Sequence, residues 1–233
     1  MYKQRTLRCG SRQARFSLAM QRIMPVAFTF MLAVMLPSHA LAAGLFNYLE
    51  FKASRLESIP KWVEVLGRVK AEWPQLEDCA KRASACVNRP QKDWRDAMLR
   101  WKSQGVNKRV LDDVNRFFNA YTYITDSKLL GMSDYWQTPT QFLARSGDCE
   151  DYSIAKFFTL KALGFSPDNL RIVVVHDAVR DIAHAVLAVK MDGEEYILDN
   201  LTTTPLAARF VFQYTPYYAV NETYRWVFVK SSP

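Results

Sequence analysis

The chain has 233 residues, 49% apolar, 13% aromatic and 23% charged, which is the composition of a globular protein and excludes a disordered or fibrous one. Eight Gly and ten Pro exclude a collagen-like or low-complexity chain. The formal charge of +8 is not a nucleic-acid footprint. Six of the 31 basic residues (Lys3, Arg5, Arg8, Arg12, Arg15, Arg22) and none of the 23 acidic ones lie in the first 42 positions, so 25 against 23 leaves +2 beyond them.

Residues 1–42 read as a secretory signal peptide. A basic region precedes the apolar run 24–36, and Ala40-Leu41-Ala42 supplies a small-residue cleavage site before Ala43. That run of 13 is shorter than the roughly 20 apolar residues of a membrane-spanning helix. The expected product, 43–233, is one exported domain that does not span a membrane after cleavage. Cysteine usage fits an oxidising compartment. Cys79 and Cys86 are near neighbours in a polar stretch and candidates for a local disulfide, which geometry decides. With Cys9 in the signal peptide, that leaves Cys149 as an odd thiol.

From 46 to 124 the apolar residues recur at helical spacing. Trp62, Val65, Leu66, Val69 and Trp73 form one stripe, and Trp94, Met98 and Trp101 another. Val110, Leu111, Val114, Phe117, Phe118 and Tyr121 form a third. Pro60, Pro74 and Pro90 punctuate these segments, and Gly105 stops one of them. Thr138-Pro139 starts a short helix, Ser146-Gly147-Asp148 breaks it, and a second apolar helix over 148–163 ends at Gly164. Beyond it the texture turns to strands within 169–229, at 170–175, 182–189, 195–200 and 224–229. Helices first and consecutive strands after predict an α+β fold with a mostly antiparallel sheet.

Cys149 falls in the first turn of the 148–163 helix. Unpaired N–H groups and the positive dipole end favour a thiolate there, which makes a nucleophile a better reading than a small apolar cap residue. A thiolate nucleophile needs a base. His176 stands at a strand end beside Asp177, where solvation explains it, whereas His184 lies inside the apolar strand Ile182-Ala-His-Ala-Val-Leu-Ala-Val189. Asp199 sits in an equally apolar run, where an unpartnered carboxylate is costly. Cys149, His184 and Asp199 then match nucleophile, base and orienter.

The segment Gly147-Asp-Cys-Glu-Asp-Tyr-Ser-Ile-Ala-Lys156 resembles the bacterial transglutaminase-like cysteine peptidases. So do Asp134-Tyr-Trp136, Ala183-His-Ala-Val-Leu187, Leu198-Asp-Asn-Leu201 and Val114-Asn-Arg-Phe-Phe-Asn119. The resemblance covers about 93–229. It implies a papain-like core with the nucleophile on a helix packed against an antiparallel sheet, and it carries the triad onto Cys149, His184 and Asp199. It further implies a periplasmic protease that cuts a double-alanine site near the N-terminus of a large secreted adhesin. Sequestration by an inner-membrane receptor for cyclic di-GMP is implied as well.

Asp148, Glu150 and Asp151 place three carboxylates within a turn of the thiol. They complement the helix dipole but oppose thiolate formation. A bound cation removes the conflict. Oxygen-rich ligands in an export compartment favour Ca²⁺, with further oxygens needed from elsewhere, such as the 119–126 loop. The resemblance implies the same calcium dependence. Trp136 and Gln141 are candidate second donors to an oxyanion. Two other readings fit the same residues: a transglutaminase-like amidase or acyltransferase, and a non-catalytic binding module.

Overall fold

The computed structural model describes residues 44–230, so the signal-peptide reading of 1–42 lies outside the described residues. A short 3-10 turn, Leu45–Asn47, leads into strand β1 (Tyr48–Ala53). Six helices follow: α1 (Pro60–Lys81), α2 (Arg89–Gln104), α3 (Lys108–Asn119), α4 (Asp126–Leu129), α5 (Pro139–Arg145) and α6 (Cys149–Ala162). The chain closes with β2 (Leu170–Asp177), β3 (Ile182–Met191), β4 (Glu194–Leu198), β5 (Leu206–Ala207), β6 (Tyr214–Val220) and β7 (Arg225–Lys230). These strands form one sheet in the order β1-β7-β6-β2-β3-β4-β5, every neighbouring pair antiparallel. The α+β architecture is as expected. No helix among the described residues is long and apolar enough to cross a membrane.

Local chemistry sets most helix ends. Asn88 and Asn107 cap α2 and α3 by accepting the backbone N–H groups of Gln91 and Val110, and Gly105 ends α2 at φ +74°. Thr138 and Gln141 form a capping box at α5. α6 is buried on nearly all sides, with Ile154, Ala155, Phe157 and Leu160 fully inside. It is the central helix, packed between α3, α5 and the sheet strands β2 and β3. Its partners Trp62, Trp94, Phe118, Leu187 and Leu198 complete the larger core. A smaller core on Val173, Val175, Val186 and Ala188 is covered by Leu45, Phe46, Ala208 and Val211.

Three expectations need correction. Helical texture from residue 46 fails at β1, which pairs along its whole length with β7 at the other end of the chain. Pro74 does not end a helix: α1 runs through it to Lys81, because the stripe Trp62, Val65, Val69, Leu76 and Cys79 stays buried in register on both sides of the proline. β6 had no place among the expected strands. Its Pro216 argues against a strand, yet it sits where the β2–β6 register shifts between Val174 and Val175, a bulge that tolerates a residue without an N–H. Cys79 and Cys86 are bonded, S–S 2.05 Å, and tie the end of α1 to the turn before α2.

Candidate active site

The loop before α6 is built around Gly147. Its carbonyl accepts the Ile124 N–H at 2.9 Å, and it bridges Tyr123 in parallel, which lays the segment 123–126 against the start of α6. A Cβ on Gly147 would overlap the Asp151 carboxylate and stand 2.5 Å from Gln137 Nε2. Asp148 and Asp151 form the capping box of α6. Gly147→Ala must therefore part buried hydrogen-bonded groups, at about 1–3 kcal/mol. Thermal melts should show a fall of roughly 2–12 °C.

Cys149 is the first residue of α6, a partly exposed free thiol. Its Sγ donates to Glu150 Oε2 at 3.1 Å, and the backbone N–H of Ala185, the residue after His184, points at the sulfur. Burial, then the Glu150 and Asp148 charges, push the thiol well above its ordinary range. His184 on β3 and Asp199 just past β4 are both buried, and His184 Nε2 lies 2.9 Å from Asp199 Oδ1. Asp199 Oδ1 also accepts the Leu201 N–H, and Oδ2 accepts the Tyr214 hydroxyl at 2.5 Å. Burial alone would raise the Asp199 carboxyl. The His184, Tyr214 and Leu201 contacts outweigh it and hold the group below the usual carboxylate range. Tyr214 was not foreseen, since it opens the unforeseen strand β6. His176, next along β2 from Val175, which pairs with His184, stands 3.4 Å from the exposed Asp181.

The acidic cluster differs in membership from the sequence reading. Asp126, Asp148 and Glu150 bring carboxylate oxygens within 4.8 Å of one another. Asp151 is not among them. As the third residue of a capped helix it turns inward, where it accepts Gln137 N–H at 2.7 Å, Gln137 Nε2 at 2.6 Å and the Asp148 N–H at 3.2 Å. Asp126 takes its place, from the same 119–126 loop that was expected to add oxygens. Asp126 and Asp148 each use one oxygen on a backbone N–H, from Tyr135 and Asp126 respectively, and each leaves Oδ1 buried without a partner. Burial raises both, with the Asp134 charge adding at Asp126 and the Asp126 charge at Asp148, and burial followed by the Asp148 charge pushes Glu150 up to about 9. Three carboxylates this close, two of them with a buried oxygen lacking a partner, could hold a hard cation.

Trp136 and Gln141 are committed elsewhere. The Trp136 indole donates to Asp134, and Gln141 Oε1 accepts from Arg68 and the Thr138 N–H.

A family model described as bacterial transglutaminase-like cysteine proteinase (BTLCP) matches residues 68–232. The chain belongs to this family. Among solved structures it is similar to Legionella pneumophila LapG, at 33% identity and TM-score 0.56 over 65% of this chain and 87% of that one. An EGTA-treated LapG structure matches at 33% identity, TM-score 0.56, over 65% and 84%. A calcium-bound one matches at 34% identity, TM-score 0.54, over 63% and 84%. Among curated proteins, none matches the chain. The transglutaminase-like core of the family is the arrangement seen here, a central helix with its cysteine at the N-terminus against an antiparallel sheet.

Proposed function

We propose that this protein is a periplasmic, calcium-dependent cysteine endopeptidase that cuts near the N-terminus of a large surface adhesin, at a double-alanine site, and so releases it and disperses a biofilm. The observation that carries the reading is the thiol at the start of α6 against the strand residue following His184, with His184 hydrogen-bonded to buried Asp199. Membership in a cysteine proteinase family supports the reaction class. The substrate, and sequestration by an inner-membrane cyclic di-GMP receptor, rest on the likeness to LapG.

With Nε2 held by Asp199, His184 has Nδ1 left for the sulfur. It takes the Sγ proton, and the sulfur adds to the scissile carbonyl carbon as the carbonyl electron pair moves onto oxygen. The Cys149 backbone N–H, free in the first helical turn, donates to that oxyanion. Collapse breaks the C–N bond, the amine leaves with the proton from His184, and water deprotonated by His184 then releases the acyl group. Asp199 keeps the imidazole in one tautomer and balances its charge.

Asp126, Asp148 and Glu150 would hold the calcium ion, whose chemistry when bound is to neutralise carboxylates that otherwise oppose thiolate formation. The EGTA-treated and calcium-bound LapG structures support this part. The test is incubation of the purified protein with N-terminal adhesin fragments and calcium, with a labelled amine present. Two fragments without label, joined at a double alanine, are expected. Incorporated amine would overturn hydrolysis in favour of transfer, and intact fragments would overturn the substrate.

A further inference from the structure

Lys156 is completely buried, a position that lysine occupies only when something inside the protein needs it. It lies two turns beyond Cys149 on α6, outside the chemistry described above. Its Nζ donates to Asn115 Oδ1 on α3 at 2.8 Å. Asn115, also fully buried, turns its amide N–H groups to the carbonyls of Thr202 at 2.8 Å and Thr203 at 3.3 Å. One turn further along α3, Asn119 Nδ2 donates to the carbonyls of Asp199 at 2.8 Å and Thr202 at 2.9 Å. The segment these amides hold, 199–203, follows β4 and belongs to no strand or helix.

The orientation of Asn115 follows from donor counting. Burial lowers the Lys156 ammonium to about 7, and in the protonated form held below that it has three donors and no acceptor, so it fixes the amide oxygen toward α6 and leaves the amide N–H groups for the loop. Flipping the amide would set donor against donor, orphan the Thr203 carbonyl and leave Thr202 to Asn119 alone. A well-packed apolar side chain at 156 would cost less to bury but would leave that orientation unset. Asn119 holds the carbonyl of Asp199, whose side chain grips His184, and Asn115 holds Thr202 and Thr203 just beyond it, so α3 braces this loop from behind.

We propose that Lys156, Asn115 and Asn119 are positioning residues for the reaction, the lysine setting the Asn115 amide so that α3 holds the 199–203 backbone and aims the Asp199 carboxylate at His184. This rests on the reading of Asp199 as the orienter of His184, and the test separates the two. Asn115→Asp keeps an oxygen for Lys156 and removes the donors to Thr202 and Thr203 at almost unchanged volume. The readout is the rate at which iodoacetamide alkylates Cys149 in the calcium-loaded protein at one pH, followed by mass spectrometry. Asn115→Asp should slow alkylation by about tenfold in an otherwise wild-type background and by less than twofold when Asp199→Asn is already present, because both act on one carboxylate. An equal slowing in both backgrounds, or none in the first, overturns the proposal. Lack of any effect from Asp199→Asn alone overturns the triad reading instead. Lys156→Met, similar in length and apolar, covers the case in which Asn115→Asp does not fold: it should slow alkylation several-fold, again only with Asp199 present, and a folded Lys156→Met that reacts at the wild-type rate overturns the role of the lysine.

Discussion

Cys149→Ala will abolish proteolysis, by roughly 10⁴–10⁶-fold, without unfolding the protein. Cys149 is partly exposed and begins a helix, so alanine removes no core packing and brings the best helix propensity. It costs the Glu150 carboxylate one thiol hydrogen bond, which the gain in helix propensity offsets. Melting temperature should therefore stay near the wild-type value while fragments stay uncut. His184→Ala should lose a comparable share of activity, yet it behaves differently in a melt. It strips the buried Asp199 carboxylate of one of its three hydrogen-bond partners, at about 1–3 kcal/mol. Combining the two substitutions should reduce turnover no further than either alone, because nucleophile and base act as a unit. Residual cleavage by Cys149→Ala above a hundredth of wild type would locate the nucleophile elsewhere.

The local part of this site was legible before any coordinates. A Gly-Asp-Cys start, an apolar body and Gly164 define α6, and β-branched runs define β2 and β3. His184 and Asp199 stand out because each is a polar residue with no reason to lie in an apolar run. What escaped depends on distant partners. β1 carries Glu50 and Lys52 and is a strand only because β7, nearly 180 positions later, pairs with it. β6 hides behind Pro216, whose bulge becomes visible only against β2, and Tyr214 was lost with it. In sequence Asp151 reads with Asp148 and Glu150 because all three fall within one turn of the thiol, but a capping box uses its carboxylate for the helix itself. Asp126 reaches the cluster through the bridge between Tyr123 and Gly147, a contact that no periodicity encodes.

Removal of calcium with a chelator should stop cleavage and lower the melting temperature, both reversibly. Without a cation, three carboxylates stand within 4.8 Å of one another and the Cys149 thiol donates to one of them. At a hundredfold excess of calcium over its dissociation constant the bound ion adds about 2.7 kcal/mol, or a rise of roughly 5–10 °C in a domain of this size. The sign of the pH dependence follows. Glu150, pushed up to about 9 by burial and by Asp148, keeps a proton in the folded protein that the unfolded chain releases near 4.5. The folded state then binds more protons across that interval, so stability without calcium falls as pH rises through it. A metal ligand must be deprotonated, so calcium binds more tightly over the same range and the gap between loaded and chelated melts should widen from pH 5 to pH 8. Two variants distinguish the carboxylate cluster of the structure from the one read from the sequence. Asp126→Asn should raise the calcium concentration for half-maximal activity by about tenfold or more with little change in the chelated melt. Asp151→Asn should do the reverse, lowering both melts because its amide would face the Gln137 donors while leaving the calcium requirement near wild type. Exchanged outcomes would return Asp151 to the ion and Asp126 to the scaffold.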